Sequence, residues 1–322
     1  MRNGIIMALG AGYGILMRLV FGFAPFLRSP ELRDNASGPM LFSFVLLVPL
    51  LIGVYTVHAA RSKNPGVGSA LVLPLVPTLC FVGGTAALFL EGSICIALAL
   101  PVFLAAASFG GLLCWTILKF AQPKPGVVNS LMLLPLLSGY VEARWLSMPQ
   151  EIQQSQASVQ IAAKPEAIWQ LINHATEIRP SEMQEGLAYR IGVPYPMQAI
   201  TEQTDHGRVR RLKWDHGVQF DEPIQAWEEN RYIRWTYDFK PDSFPPGALD
   251  EHVLIGGKYF DLVDTSYRLT PEAGGTRLDI VVNYRVSTNF NFYAAWWGRT
   301  MVDDAAATIL RFYKARAEQR HG

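Results

Sequence analysis

Long apolar runs dominate the first 147 residues of the chain. An α-helix needs roughly 20 apolar residues to cross a bilayer core of about 30 Å. Five runs reach that length, at residues 4–27, 40–60, 69–90, 94–118 and 127–146. Backbone groups in lipid must be hydrogen-bonded internally, so the runs are predicted to be helices despite prolines such as Pro49 and Pro101. Residues 1–147 are therefore predicted to form an all-α transmembrane bundle of five spans, or four if the weaker fifth run does not cross.

Small residues and one charge interrupt these apolar runs. The small residues within 8–14 and 108–111 indicate that helices approach closely there. Arg18 is the one charge well inside a run. An intramembrane charge suggests a functional role, because burial in hydrocarbon is costly without a partner. The alternative is that Arg18 extends to an interface or pairs within the bundle.

Basic residues in the short loops predict the orientation of the bundle. Arg61 and Lys63 follow the second run, Lys119 and Lys124 follow the fourth, and Arg2 lies at the N-terminus. Positive short loops face the cytoplasm. The bundle is expected in the cytoplasmic (inner) membrane of a bacterium. If it has five spans, the C-terminal half lies outside the cytoplasm. With four spans, it is cytoplasmic.

The hydrophobic pattern changes after residue 147. Residues 148–156 are polar and are interpreted as a linker, and residues 157–320 as one further domain. Residues 158–163 alternate as a half-buried strand does, and a short helix follows with Pro165 in its first turn. Strands are predicted at 189–203, 207–216, 218–228, 231–239, 257–270 and 276–287. A long helix over 290–318 follows, with an apolar face formed by Trp297, Met301, Ala305, Thr308 and Phe312.

Charge and cysteine content narrow the class of protein. Residues 1–150 contain nine Lys/Arg and four Asp/Glu, whereas residues 151–322 contain nineteen and twenty-three, so the halves carry +5 and −4 and sum to +1. The acidic balance of the second half argues against nucleic-acid binding. The three cysteines all lie in the apolar half, and no histidine pair has HExxH or HxH spacing. Neither a metal nor a cofactor is expected.

The opening of the second half resembles a known superfamily. Residues 158–172, SVQIAAKPEAIWQLI, resemble the first strand and helix of the START/polyketide-cyclase-like helix-grip proteins, called SRPBCC. The strands and the terminal helix ending LRFYKARAE at residues 310–318 fit the same order. The segment FDEPIQAW at 220–227 looks like a membrane-anchored subgroup of uncharacterised bacterial members. The resemblance covers about residues 156–319 and implies an α+β helix-grip domain, in which a curved antiparallel sheet wraps a long C-terminal helix around a hydrophobic cavity.

Strand alternation predicts which side chains face that cavity. Glu222 and Asp261 fall among apolar residues on their strands, where desolvation would raise the pKa of a carboxyl group and suit it to general acid or base catalysis. The alternatives are an inward salt bridge to an arginine, or a bulge that turns the side chain outward. The expected cavity residues are Phe220, Glu222, Ile224, Trp235, Tyr237, Tyr259, Asp261, Tyr284, Trp297 and Met301.

Three functions remain open from the sequence. The first is membrane-tethered binding or transfer of a lipid or other hydrophobic small molecule. The second is a polyketide-cyclase- or dehydratase-like enzyme that uses the cavity carboxylates. The third is a membrane-anchored domain that docks a protein partner. Tyr293, Trp296 and Trp297 at the start of the last helix are expected to line the cavity mouth, to meet the membrane interface or to pack in the core.

Overall fold

The computed structural model describes residues 2–27, 34–121, 125–183 and 185–319. The chain divides into two compact units. The helical unit comprises Met1–Pro149 together with Thr288–Phe290, and the sheet unit comprises Gln150–Ser287 and Asn291–Gly322. Three residues from the second half of the chain therefore belong to the helical unit.

The described part of the helical unit contains five helical stretches long and apolar enough to cross a membrane. They are Gly4–Phe23, Ser43–Lys63, Val67–Ala87, Ser93–Phe120 and Gly126–Trp145. These positions agree with the five predicted runs to within a few residues. The individual helices are α1 (Arg2–Phe23), α2 (Val48–Ala60, after a π-helical turn at Ser43–Leu47), α3 (Val67–Val72), α4 (Leu75–Ala87), α5 (Ser93–Phe120), α6 (Pro125–Leu131) and α7 (Leu134–Trp145).

Proline explains the two breaks in these stretches. Helix α3 ends before a turn at residues 73–74, and α6 ends before a turn at residues 132–133. Pro77 and Pro135 have no backbone N–H to donate to the carbonyls of Leu73 and Leu131, four residues earlier. The chain therefore turns once at each site and resumes its helix.

Glycines let helices α2 and α5 approach closely. A Cβ atom built on Gly110 would lie 2.0 Å from the carbonyl oxygen of Leu50, and one on Gly53 would lie 2.0 Å from that of Ala107. A Cβ on Gly111 would lie 2.2 Å from the carbonyl oxygen of Ala70 on α3. The close packing predicted at residues 108–111 is confirmed, because only glycine fits at these contacts.

Arg18 pairs within the helical unit. Its Nε donates to a carboxylate oxygen of Glu91, and its Nη2 donates to the carbonyl oxygen of Leu90 at 2.7 Å. Arg18 is buried. Of the two alternatives for this residue, pairing within the bundle is the one observed.

The described residues of the sheet unit form eight antiparallel strands and four α-helices. The strands are β1 (Glu151–Ile161), β2 (His174–Ala175), β3 (Pro196–Thr204), β4 (Gly207–Trp214), β5 (Gln219–Glu228), β6 (Tyr232–Thr236), β7 (Phe260–Glu272) and β8 (Gly275–Val286). Their order across the sheet is β1-β8-β7-β6-β5-β4-β3-β2. The helices are α8 (Pro165–Asn173), α9 (Pro180–Met183), α10 (Leu187–Arg190) and α11 (Asn291–Gln319). The sheet curls as an open half-barrel, with the long helix α11 against it.

Two elements of the sheet unit differ from their sequence-based bounds. Strand β1 begins at Glu151, inside the segment interpreted as a linker, because it pairs residue by residue with β8 from Glu151 opposite Val286 to Ile161 opposite Thr276. Strand β3 begins only at Pro196. Helix α10 occupies Leu187–Arg190, where the predicted strand 189–203 was to start.

Helix α11 packs on the sheet mainly through residues next to the predicted face. Val302, Ala306, Leu310, Phe312 and Tyr313 belong to the core cluster of the sheet unit, and Ala294 packs against it. A Cβ on Gly298 would meet the side chains of Val286 and Tyr284. Moving one residue along a helix turns the side chain by about 100°. Trp297 and Met301, two of the expected cavity residues, therefore lie outside this core cluster, although Thr308 and Phe312 are buried.

Candidate functional site

The inner face of the sheet carries a buried ion pair among aromatic side chains. Arg210 on β4 and Glu222 on β5 are directly opposite each other in the strand register. The guanidinium Nη1 donates to Glu222 Oε2 at 2.6 Å. The two residues are 5% and 3% exposed, so neither charge is screened by water.

Every nitrogen of the Arg210 guanidinium has a hydrogen-bond acceptor. Nε donates to the carbonyl oxygen of Ile172 at 3.2 Å, and Nη2 donates to the hydroxyl oxygen of Tyr313 at 3.2 Å. The guanidinium carbon lies 5.1 Å from the ring centroid of Trp235, which adds a cation–π contact. Strand β5, helix α8 and helix α11 thus all help to hold this one side chain.

Tyrosine and threonine hydroxyls lie beside the pair. Tyr237 Oη and Thr265 Oγ1 are hydrogen-bonded at 2.6 Å. The rings of Tyr267 and Tyr313 meet edge to face, with centroids 5.7 Å apart. We call Arg210, Glu222, Tyr237, Thr265, Tyr267 and Tyr313 the interior polar cluster. It is surrounded by apolar side chains of the core cluster that includes Leu212, Ile233 and Leu278.

Burial sets the protonation of this cluster. Desolvation raises the pKa of Glu222 above its usual range, and the neighbouring Arg210 guanidinium opposes that rise. Desolvation also raises the pKa values of the Tyr237, Tyr267 and Tyr313 hydroxyls. The phenols are therefore protonated at neutral pH and are able to donate hydrogen bonds to an oxygen atom.

The cluster supplies hydrogen-bond donors and one carboxyl group. None of its members is a histidine or cysteine, so its donor set suits oxygen atoms of an organic molecule better than a transition metal. Nearby, Trp214 buries its indole N–H without a hydrogen-bond partner, although buried donors are normally paired. The interior is thus apolar overall, with donors gathered at a few points.

Several expected cavity residues lie together on this inner face. Glu222 pairs with arginine, as one of the two alternatives for it proposed. Its hydrogen bond goes to Arg210. Of the expected set, Phe220, Trp235 and Tyr284 belong to the core cluster, and Ile224 and Tyr237 pack against it.

A β-bulge removes Asp261 from the inner face. The register of β7 against β8 shifts between Leu262 and Asp264. Before the bulge Phe260 and Leu262 pack against the core, and beyond it Tyr267 does so. The strict alternation that placed Asp261 with Tyr267 therefore does not hold.

Asp261 and Tyr259 lie outside the interior polar cluster. Asp261 is half-buried and opposite Arg285 in the register. Burial raises the pKa of Asp261, and Arg285 opposes that rise. Tyr259 is buried but does not belong to the core cluster. The bulge alternative is the one that the strand adopts at Asp261.

The members of the interior polar cluster that are not among the expected cavity residues are Arg210, Thr265, Tyr267 and Tyr313. A signal for Arg210 was present, because it shares its strand face with Leu212 and Trp214. A charged side chain on an apolar face needs a buried partner. Thr265 shares a strand face with Tyr267, but a lone threonine on a strand gives no comparable signal.

Comparisons with known proteins add little to this geometry. No model of a known protein family matches the chain, and no curated protein matches it. Among solved structures, protein MLL2253 from Mesorhizobium loti is 18% identical with a TM-score of 0.30, and the match covers 51% of this chain and 98% of that one. ChR145 from Cytophaga hutchinsonii is 17% identical with a TM-score of 0.31, over 53% of this chain and 98% of that one.

A third similar structure is of a protein from a named biosynthetic pathway. The di-domain ARO/CYC BexL from the BE-7585A biosynthetic pathway is 13% identical with a TM-score of 0.32, over 60% of this chain and 59% of that one. At such TM-scores the likeness carries no argument. The fold is described by its own features: an open, curled antiparallel sheet and a long C-terminal helix, which fit a helix-grip arrangement.

Proposed function

We propose that the sheet unit binds a hydrophobic small molecule with an oxygen-containing polar group, such as a lipid, and that the helical unit holds it at a bacterial cytoplasmic membrane. The observation that carries this proposal is the interior polar cluster. A buried ion pair is a poor way to stabilise a core, because apolar residues of similar volume usually serve as well or better. A pair of this kind among protonated tyrosines suits recognition of a polar group on an otherwise apolar ligand.

The membrane part of the proposal rests on the helical unit. Its five apolar stretches expose large side chains, including Leu137 at 67% and Phe109 at 58%. Such exposure is unfavourable in water and favourable in lipid. With Arg61 and Lys119 on the cytoplasmic side, five crossings put the sheet unit outside the cytoplasm.

Identification of co-purified molecules tests the binding proposal. The full-length protein is purified in detergent, and its extractable small molecules are identified by mass spectrometry. We expect a bound amphipathic molecule in the wild type and its loss in Arg210→Met. Arg211→Met is the matched control, because Arg211 is the next residue on β4 and pairs with Glu202 on the exposed face.

Two further measurements make this experiment decisive. Glu222→Gln keeps the shape of the side chain, and we expect it to fold and to bind the same molecule more weakly. A panel of lipids is also tested for thermal stabilisation of the wild type. If no molecule is extracted and no lipid raises the melting temperature, the proposal is wrong.

The enzymatic alternative assigns Glu222 the role of general acid in a cyclase- or dehydratase-like reaction. The raised pKa of Glu222 favours this alternative. The ion pair with Arg210 opposes it, since the carboxyl group already has a strong partner. Once a ligand is identified, chemical conversion by the wild type that is abolished in Glu222→Gln would support the enzyme over the binder. A sheet unit that binds a protein and no small molecule would support the docking alternative.

A further inference from the structure

Exposed aromatic side chains cluster at the beginning of helix α11. Phe292 is 72% exposed and Trp296 is 57% exposed. They are four residues apart and so lie on one face of the helix. Tyr293 and Trp297 flank them, with ring centroids of Trp296 and Trp297 4.7 Å apart. We call Phe292, Tyr293, Trp296 and Trp297 the aromatic patch.

The chain ties this patch to the last apolar helix. Thr288–Phe290, immediately before α11, belongs to the helical unit. Within that unit the Asn289 side-chain amide donates to Glu142 Oε1 at 2.9 Å. Glu142 is on α7, one turn before that helix ends at Trp145. Phe292 is three positions after Asn289 in the chain, so their Cα atoms are at most about 11 Å apart.

Glu142 is itself held firmly. It is 4% exposed and accepts hydrogen bonds from the backbone N–H groups of Phe42 and Ser43, at 2.6 and 2.9 Å. The Ser43 hydroxyl donates to it at 2.8 Å. Thr288–Phe290, the segment before the patch, is thus anchored at a fixed position. This position lies where the second apolar stretch begins and the fifth ends.

The same end of α7 carries aromatic side chains. Trp145 is 68% exposed and Tyr140 is 42% exposed, and their rings meet edge to face at 5.7 Å. Tryptophan and tyrosine are enriched where a membrane protein crosses the bilayer–water interface. The end of α7 therefore has the composition of an interfacial belt.

We propose that the aromatic patch inserts into the headgroup layer of the membrane, as a second attachment point for the sheet unit. This inference rests on the membrane location given under the proposed function. The exposed side of α11 changes from Phe292 and Trp296 to the charged residues Arg299 and Asp303. At 1.5 Å per residue, Phe292 and Trp296 are about 6 Å apart along the helix, close to the thickness of one headgroup layer, roughly 5–7 Å.

A bilayer suits this patch better than a protein partner. Only two large side chains are well exposed, whereas a stable protein interface needs about 800 Å² from each partner. Trp and Tyr combine an apolar ring with a polar atom, which suits the headgroup region. An attachment there would hold the beginning of α11 close to the lipid from which the proposed ligand comes.

Site-directed spin labelling tests the inference. Cys80, Cys95 and Cys114 are replaced by alanine, and single cysteines are introduced by Phe292→Cys and Trp296→Cys. The full-length protein is reconstituted in phosphatidylcholine/phosphatidylglycerol vesicles. Accessibility is measured to oxygen, which enters lipid, and to a water-soluble nickel chelate. We expect loss of accessibility to the chelate at both positions, with oxygen accessibility retained.

Two control positions separate the possible failures. Ala315→Cys lies on an exposed site of the same helix and should be accessible to the chelate. Phe109→Cys lies on α5 and should be accessible to oxygen alone. Chelate access at 292 and 296 with lipid exposure at 109 overturns the second attachment but leaves the proposed function standing. Chelate access at 109 overturns the membrane location itself. Protection of 292 and 296 from both reagents indicates a protein contact and also overturns the inference.

Discussion

The two units of this protein place their apolar side chains in opposite ways. The helical unit exposes leucines and phenylalanines such as Leu137 and Phe109, whereas the sheet unit, outside the aromatic patch, buries large side chains such as Trp235 and Tyr284, which are 2% and 0% exposed. If the helical unit lies in lipid, as proposed, each arrangement suits a different surrounding. Lipid solvates apolar side chains and leaves backbone groups to be satisfied internally, whereas water drives apolar side chains inward.

In both units a buried arginine is paired with a glutamate. Arg18 is paired with Glu91 in the helical unit, and Arg210 with Glu222 in the sheet unit. In each case the arginine also donates to a backbone carbonyl. The cost of burying a charge is high in either interior, so a partner is needed in both. What differs is the surrounding, since Tyr267 and Tyr313 lie beside Arg210.

Loss of the inner arginine should have the largest effect. Arg210→Met leaves Glu222 buried without its partner, which typically costs about 3–5 kcal/mol. We expect the sheet unit to lose that amount of stability, measured by hydrogen exchange of the β4 and β5 amides in the detergent-solubilised protein. Arg211→Met should cost no more than about 1 kcal/mol, because its pair with Glu202 is exposed.

The double variant Arg210→Met/Glu222→Leu sharpens this result. Replacement of both charges by apolar groups should recover much of the lost stability, because no unpaired charge remains. If the double variant is as unstable as the sum of the single variants, the pair does not account for the loss.

An added methyl group between helices should have an intermediate effect, confined to the helical unit. Gly110→Ala would place its Cβ 2.0 Å from the Leu50 carbonyl oxygen, so α2 and α5 must separate. Overpacking of this kind costs about 1–3 kcal/mol. Gly83→Ala is the control, since nothing lies within 4 Å of a Cβ there. Thermal unfolding in detergent should distinguish the two, and equal melting temperatures would contradict the close packing.

The smallest expected effect is a pH dependence of the stability of the sheet unit. The pKa of Glu222 is raised by folding, so protonation of this group favours the folded state. The stabilisation that Glu222 contributes is complete below its unfolded-state pKa of about 4.3. It is lost as the pH rises through its folded-state pKa. We expect a change on the order of 1 kcal/mol, obtained as the difference between wild type and Glu222→Gln. A difference that grows with rising pH in favour of the wild type would have the wrong sign.

Periodicity predicts the parts of the fold that depend on local pattern. The five apolar stretches and the order of strands followed by a long helix could be predicted, because each element repeats its own period over many residues. The inner position of Glu222 followed from alternation along β5. The side of α11 that packs on the sheet was not predicted correctly from the periodicity. Thr308 and Phe312 are buried as well and make the apolar stripe wider.

The remainder depends on contacts between distant residues. The bulge at Val263 turns Asp261 outward, and a single inserted residue leaves no mark in an alternating pattern. Tyr313 reaches Arg210 from a helix 103 residues away in the chain. The hydrogen bond of Asn289 to Glu142 spans 147 residues. None of these pairings follows from local sequence.

Strand β2 is only two residues long and pairs with Ala199 and Ile200, so among the described residues the rest of β3 has no strand beside it on that side. An open edge of this kind is a template on which another chain could add a strand and begin aggregation. The uncovered part carries Glu202, whose carboxylate lies 2.9 Å from Arg211 and is half-exposed. A charge at that edge discourages such addition, and its removal would make the protein more prone to self-association.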